Sequence, residues 1–156
     1  VDTISMKECL FISNEIKDKD ENIEYITDIN IGKAVRSSMA FPAIFTTSNY
    51  EKYNFIDGGT VDNLPVQVLK DMGATKTIAI SFDLNKYTPS KSLEGVLVRA
   101  LDIFSHSGVE NARKLADIAI EIYNPDTSLL SMDEIEKTIK NGYNAVMEQR
   151  EKLKIL

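Results

Sequence analysis

The sequence is poor in the side chains that metal and redox centres use. It holds one cysteine, Cys9, and one histidine, His106, in 156 residues. One cysteine cannot form a disulfide within the chain, and this pair cannot build a zinc site of the Cys/His type. Cys9 lies in an apolar run, which indicates a small hydrophobic side chain rather than a nucleophile.

Long hydrophobic runs and an excess of positive charge are also lacking. No apolar stretch approaches the roughly 20 residues that cross a bilayer, and no signal-peptide pattern is present. The formal net charge is −6, which argues against binding to nucleic acid and against strong attraction to anionic lipid surfaces. With 43% hydrophobic residues, the chain has enough apolar material for one soluble domain. We predict a cytoplasmic protein.

Strand-like and helix-like segments alternate along the chain, which predicts an α/β layered fold. The strand at 77–82 shows no clean alternation, which favours burial on both faces within a parallel sheet. The first two strands form a β-hairpin or two adjacent strands. The predicted strands are 9–12, 24–29, 53–56, 77–82 and 117–123, and the predicted helices are 31–40, 63–73, 93–104 and 131–147.

Residues 55–59, Phe-Ile-Asp-Gly-Gly, carry the most chemical information. An apolar strand delivers the carboxylate of Asp57 to its end, where α/β sheets usually display reactive groups. Gly58 and Gly59 permit positive φ and the close approach of another backbone or a ligand. Taken alone, these residues are more typical of a tight turn.

The motifs around Asp57 change this interpretation. A helix ending in small residues and Phe41–Pro42 precedes the strand, and an Asn63-Leu64-Pro65 helix start follows the two glycines. This succession resembles the patatin-like phospholipase family, notably its compact bacterial members, best over residues 32–82. Weaker similarity covers 93–107 and 131–147. Residues 1–156 thus resemble the C-terminal portion of a single such domain, with a C-terminal helix at 131–156.

The resemblance implies a three-layer α/β/α fold with a mainly parallel sheet, and a phospholipase or esterase that uses a Ser–Asp dyad without cofactor or metal. Asp57 matches the dyad aspartate, the general base, and Gly58 and Gly59 complete its motif. The family's serine lies in a G-x-S-x-G elbow, and an upstream Gly-rich turn forms its oxyanion hole. Neither motif occurs in this sequence, so this C-terminal half lacks the nucleophile elbow.

Two consequences follow from the resemblance. A segment of roughly one hundred residues would supply the serine and the oxyanion hole, and this chain alone would be inactive. The expected partners are a lipid or acyl-ester substrate, a membrane in peripheral contact, and either the N-terminal half or a second copy at an exposed sheet edge. The alternative is a non-catalytic interaction or regulatory module derived from a hydrolase fold.

Several other polar residues have simpler interpretations. Continuing the 93–104 helix places His106 opposite the apolar stripe, exposed and non-catalytic. Ser37 and Ser38 have helix-surface or helix-end positions, and Arg36 forms a surface ion pair in preference to orienting a backbone carbonyl. Asp62 is the weaker alternative to Asp57. Four apolar side chains either line an acyl pocket or pack in the core: Met39, Phe41, Ile44 and Phe45.

Overall fold

The computed structural model of the chain describes residues 1–13, 16, 19–83, 91–124 and 135–156. They belong to two compact units, Val1–Asn63 with Lys91–His106 and Leu64–Ser90 with Ser107–Leu156. Both units mix helices and strands, which confirms the α/β class. The described strands form three two-stranded sheets, and the three-layer arrangement stays a prediction.

The first sheet of the first unit is parallel. Strand β1 (Glu8–Phe11) pairs with β2 (Ile23–Ile26), so that Leu10 faces Tyr25. The prediction of two adjacent strands is confirmed, whereas the hairpin alternative is wrong. Parallel strands cannot be joined by a tight turn, because the chain must return to the starting end of the sheet.

The second sheet of this unit is the hairpin that leads to Asp57. Strand β3 (Ser48–Tyr50) pairs antiparallel with β4 (Tyr53–Phe55) across a turn in which Glu51 has φ 49°. The other edge of β4 is also occupied, because Asp2 forms an antiparallel bridge with Phe55. The predicted strand at 53–56 is therefore confirmed, and it has backbone partners on both sides.

Phe55 is the buried anchor of β4. Its side chain is 1% exposed, with Phe11 edge-on at 5.3 Å between ring centroids and Tyr53 stacked at 5.4 Å. Such aromatic pairs contribute about 0.5–1.5 kcal/mol each beyond the area they bury. This packing fixes the position of Phe55, the last residue of β4, which lies two residues before Asp57.

Helix α1 (Ile31–Ser38) precedes the hairpin. Asn30 caps it, since its side-chain oxygen accepts a hydrogen bond from the Gly32 N–H at 2.9 Å, as such residues do at helix starts. The helix ends shortly before Pro42, in agreement with the steric effect of proline on the preceding residue. Ala40, two residues after the end of the helix, is 1% exposed.

The second unit is built on a parallel pair, β5 (Ile78–Phe82) and β6 (Ile118–Ile122). Helix α3 (Leu93–Leu115) begins in the first unit and ends in the second, and α4 (Ile135–Glu148) packs against β6. The core of the second unit comprises Val66, Ala79 and Ala112, with Leu64 and Ala116 packed against them. The short helix α5 (Arg150–Leu153) follows α4.

The prediction that the strand at 77–82 is buried on both faces is wrong for the described residues. Ala79 is buried, but Ile78, Ile80 and Phe82 are 47%, 53% and 52% exposed. The three side chains share one face of β5 because side chains alternate along a strand. Helix α4 packs on the neighbouring strand β6, so the apolar stripe on β5 stays open to solvent.

The predicted apolar helix faces are only partly covered. On α3, the side chains of Leu93 and Phe104 are 76% and 75% exposed, and the helix continues to Leu115, so its predicted end at 104 is wrong. Residues 131–134, the predicted start of the C-terminal helix, lie outside the described residues, and the rest of the predicted 131–156 helix is split between α4 and α5. No helix in the described part of the chain has the length and apolarity needed to span a membrane.

The helix after Asp57 begins later than the predicted start at 63, and the chain turns at Gly73, where the helix was predicted to end. Helix α2 (Val66–Asp71) is capped by Pro65 without a side-chain hydrogen bond, so Asn63 is not its cap. At the other end Gly73 has φ 95°, the left-handed conformation typical of a helix terminus. The N–H groups of Gly73 and Ala74 each bond to helix carbonyls at 2.9 Å.

We predict opposite effects of alanine at two glycines of the second unit. A Cβ at Gly73 or at Gly108 meets no atom within 4 Å, but only Gly73 has positive φ. Gly73→Ala should cost about 1 kcal/mol, because an L side chain strains the left-handed conformation. Gly108→Ala, within α3, should stabilise by about 0.5–1 kcal/mol. Urea unfolding of both variants tests this, and equal shifts would contradict it.

Candidate active site

Two backbone partners fix the segment that leads into Asp57. The Val1 backbone nitrogen donates to the Ile56 carbonyl at 3.0 Å, and the Ile56 N–H donates to the Val1 carbonyl at 2.9 Å. The Asp57 N–H then donates to the carbonyl of buried Ala40 at 3.0 Å. The backbone at Asp57 is thus tied both to the N-terminal segment and to the residue beyond the end of α1.

Asp57 opens a short 3₁₀ turn, Gly58–Thr60, and acts as its N-cap. The Gly59 N–H donates to Asp57 Oδ1 at 2.8 Å, and the Thr60 hydroxyl donates to the Asp57 carbonyl at 2.7 Å. A side-chain oxygen that accepts an N–H of the first turn is the usual capping arrangement. The tight-turn interpretation of Asp-Gly-Gly is therefore confirmed, and the turn also orients the carboxylate.

The two oxygens of the Asp57 carboxylate have different surroundings. Oδ1 is engaged by the Gly59 N–H, whereas Oδ2 has no hydrogen-bond partner among the residues that the structure describes. The side chain is half-buried, so it is neither enclosed by packing nor fully solvated. This geometry leaves one oxygen able to accept a proton from an incoming group.

The paired glycines have a different role from the one predicted. Neither Gly58 nor Gly59 adopts positive φ, so the turn does not need glycine for its backbone conformation. Gly59 is required by a close approach instead: a Cβ there would lie 2.7 Å from Asn63 Oδ1 and 3.1 Å from Asp57 Oδ1. At Gly58 a Cβ would meet nothing within 4 Å.

The last turn of α1 carries Ser37 and Ser38, which have different surroundings. Ser37 is 1% exposed, and its hydroxyl lies 2.8 Å from the hydroxyl of buried Ser48. The helix-end role of Ser37 is therefore confirmed, but its side chain is buried and not on the surface. Ser38 is exposed. Ser37 joins α1 to β3, and this contact is a structural one.

Arg36 orients a backbone carbonyl, which is the less favoured of its two predicted roles. Its Nη2 donates to the Thr46 carbonyl at 2.9 Å, and the guanidinium lies 5.8 Å from the ring centroid of Phe45. Within the described ranges Arg36 forms no ion pair, and its buried Nη1 has no hydrogen-bond partner. The predicted surface ion pair is therefore wrong, and Arg36 braces the loop after α1.

The remaining candidates from the sequence are His106, Cys9 and Asp62. His106 is exposed, as predicted. Burial raises the pKa of the Cys9 thiol, which disfavours the thiolate that a nucleophile needs. Burial also raises the pKa of Glu8, and the charge of Asp62 raises it further, so Asp62 acts electrostatically on β1. Asp62 stays the weaker alternative to Asp57.

The four residues proposed for an acyl pocket do not form a closed core. Met39 and Phe45 are each 49% exposed, and Phe41 and Ile44 are half-buried. Of the two interpretations, core packing therefore does not hold for Met39 and Phe45 in the described structure. Contact with an acyl chain stays a prediction for all four.

Residues 10–70 match the family model described as patatin-like phospholipase. This segment is patatin-like. The match includes α1, the β3–β4 hairpin, the Asp57 turn and most of α2, and so confirms the resemblance inferred from the motif order. It associates the patatin-like segment with hydrolases that act on lipids. The match assigns no role to any single residue, so the catalytic role of Asp57 stays a prediction.

Asp2 is a residue of this site that sequence reasoning missed. Its carboxylate is 2% exposed and accepts hydrogen bonds from the Asn54 N–H at 2.9 Å and from the Ser5 N–H and hydroxyl at 2.9 and 2.7 Å. The spacing of Asp2 and Ser5 is typical of a local side-chain turn, a signal that could have found it. Asp2 holds the N-terminal segment against β4.

We predict that Asp2→Asn destabilises the chain in a pH-dependent way. Burial raises the pKa of Asp2, but the hydrogen bonds from Asn54 and Ser5 outweigh it and hold the pKa below its ordinary value of 3.8. The carboxylate therefore stabilises the fold above that value, and this stabilisation is lost as pH falls through the lower folded-state pKa. The expected cost at neutral pH is about 1.5–3 kcal/mol, typical of hydrogen bonds to a charged group.

Urea unfolding of wild type and Asp2→Asn at about pH 7 and about pH 3 measures this difference. The free-energy gap should be large at neutral pH and should shrink at the acidic value. A gap that does not change with pH would contradict the assignment of the stabilisation to the ionised carboxylate.

Proposed function

We propose that this chain supplies the general base of a lipid acyl hydrolase, a phospholipase or esterase that works with a Ser–Asp dyad. Asp57 Oδ2 is the atom that accepts the proton. The observation that carries the proposal is the division of the carboxylate: the Gly59 N–H holds Oδ1 at 2.8 Å, and Oδ2 is left for an incoming hydroxyl. The patatin-like match of residues 10–70 supports the choice of substrate class.

The serine and the oxyanion hole come from polypeptide outside this sequence, since no G-x-S-x-G and no Gly-rich turn occur in it. The serine hydroxyl attacks the ester carbonyl as its proton moves to Asp57 Oδ2. The proton then passes to the departing alcohol, and water hydrolyses the acyl-enzyme with Asp57 again as base. No metal or organic cofactor takes part in these steps.

Because the serine and the oxyanion hole lie outside this sequence, the isolated chain has no esterase activity. General-base assistance contributes only about 10²–10⁴-fold, and it has no effect without a nucleophile to deprotonate. Loss of one oxyanion donor alone costs roughly 2.7–4 kcal/mol in enzymes that form tetrahedral intermediates. We therefore assign the general base, Asp57, to this chain. We assign the nucleophilic serine to the polypeptide outside this sequence.

The setting of the reaction is also part of the proposal. We place the protein in the cytoplasm, where a lone cysteine such as Cys9 stays reduced, with peripheral contact to a membrane that presents the lipid. The serine-bearing segment docks where the described residues leave apolar surface open. The exposed stripe of Ile78, Ile80 and Phe82 on β5 supports docking by that segment or by a second copy.

The same stripe favours a second candidate, a non-catalytic interaction or regulatory module derived from a hydrolase fold. A sheet face with three half-exposed apolar side chains can bind a partner even if that partner carries no catalytic serine. The reading frame upstream of Val1 separates the two candidates. A G-x-S-x-G about one hundred residues before Asp57 supports the enzyme, and a start codon directly before Val1 supports the module.

We predict that Asp57→Asn in the complete protein lowers kcat by roughly 10²–10⁴-fold. Asparagine keeps an oxygen for the Gly59 N–H, so the turn is preserved while the basic oxygen is lost. Hydrolysis of a p-nitrophenyl acyl ester measures the effect, and His106→Ala, on an exposed helix position, is the control with near-normal activity. Retention of half the activity by Asp57→Asn would remove Asp57 from the mechanism.

A further inference from the structure

We propose that Asn63 is a positioning residue for Asp57: its side-chain amide packs over Gly59 and keeps the carboxylate oriented with Oδ2 outward. The proposal rests on the proposed function, because it concerns the base of that reaction. It assigns Asn63 no contact with substrate.

The first observation is that the side chain of Asn63 is not used by the helix that follows. Helix α2 begins at Val66 with Pro65 as its N-cap, and no side chain caps it. Asn63 is exposed, and within the part of the chain that the structure describes its amide takes part in no hydrogen bond. Its role in the Asn-x-Pro motif must therefore come from another contact.

The second observation is where that side chain lies. An ideal Cβ on Gly59 would be 2.7 Å from Asn63 Oδ1 and 3.3 Å from Asn63 Cγ, and 3.1 Å from Asp57 Oδ1. Two side-chain oxygens therefore approach the same α-carbon from the side on which a side chain would project. The Asn63 amide borders the place where the Gly59 N–H holds the carboxylate.

The backbone explains how Asn63 reaches this position. The N–H groups of Val61 and Asp62 both donate to the Gly58 carbonyl at 3.0 Å. These two bonds curl the chain after Gly58 so tightly that the side chain of Asn63 comes back over Gly59. The contact is thus a product of the turn that begins with Asp57, and the two features are geometrically coupled.

The consequence for Asp57 follows from sterics. The Asn63 amide lies on the same side of Gly59 as Asp57 Oδ1, so it occupies space that the carboxylate would need in order to rotate away from the Gly59 N–H. The Gly59 N–H then stays the preferred partner of Oδ1, and Oδ2 stays free to receive a proton. A base displaced by about 1 Å can lose on the order of 10²-fold in rate.

The first test replaces Asn63 in the complete protein. Asn63→Ala should lower kcat roughly 10–100-fold with KM changed less than about twofold, because the base is misplaced and substrate binding is not. The thermal midpoint should stay near that of wild type, since the exposed amide forms no hydrogen bond. Asn22→Ala, an exposed asparagine in a turn bonded to Asp20, is the matched control with normal kcat.

The second test is a double-mutant cycle on the contact itself, read out by thermal unfolding of the 156-residue chain. Gly59→Ala should lower the midpoint by several degrees, because its methyl group meets Asn63 Oδ1. Adding Asn63→Ala to Gly59→Ala should recover most of that loss. If the midpoint shifts of the two single variants simply add in the double variant, the proposed contact between residues 59 and 63 is wrong.

The outcomes separate this proposal from the one on which it rests. If Asp57→Asn abolishes activity while Asn63→Ala leaves kcat unchanged, the positioning role of Asn63 is wrong and the dyad stands. If Asp57→Asn retains activity, the proposed function fails, and the thermal cycle still decides whether Asn63 packs on Gly59. A fall in kcat for Asn63→Ala together with recovery in the cycle supports the proposal.

Discussion

The hydrogen bond from the Gly59 N–H to Asp57 Oδ1 is the interaction on which the account of this site depends. At 2.8 Å it makes the two carboxylate oxygens unequal, because the turn engages Oδ1 and no described residue forms a hydrogen bond with Oδ2. A backbone donor of this kind needs no side chain and leaves no cation beside the carboxylate. The same bond closes a tight turn and, in the proposed mechanism, orients the carboxylate that acts as the base.

The rest of the first unit holds that bond in place. Strand β4 is paired with β3 on one edge and bridged to the N-terminal segment on the other, and its last residue, Phe55, is buried. Asp2 fixes the N-terminal segment through hydrogen bonds to Asn54 and Ser5. The half-buried carboxylate of Asp57 thus follows a strand whose position is fixed by its pairing with β3, by its bridge to the N-terminal segment and by the burial of Phe55.

Local sequence patterns predicted the structural features that depend only on residues close together in the chain. The strand before Asp57, the turn at the two glycines and the helix end at Gly73 are all set by a few adjacent positions. The parallel pairing of β1 and β2 and the open face of β5 were not predictable, because strand direction and helix coverage depend on residues distant in the chain. The contact of Asp2 with Asn54 was not predictable for the same reason, although the Asp2–Ser5 spacing offered a local signal for a turn.

A crystal structure of the complete protein is the most direct measurement of the central claim. The distance from Asp57 Oδ2 to the hydroxyl oxygen of the G-x-S-x-G serine should be about 2.6–3.2 Å, with Oδ1 still on the Gly59 N–H. A structure in which Oδ2 is taken up by a structural donor, or faces away from that serine, would contradict the account.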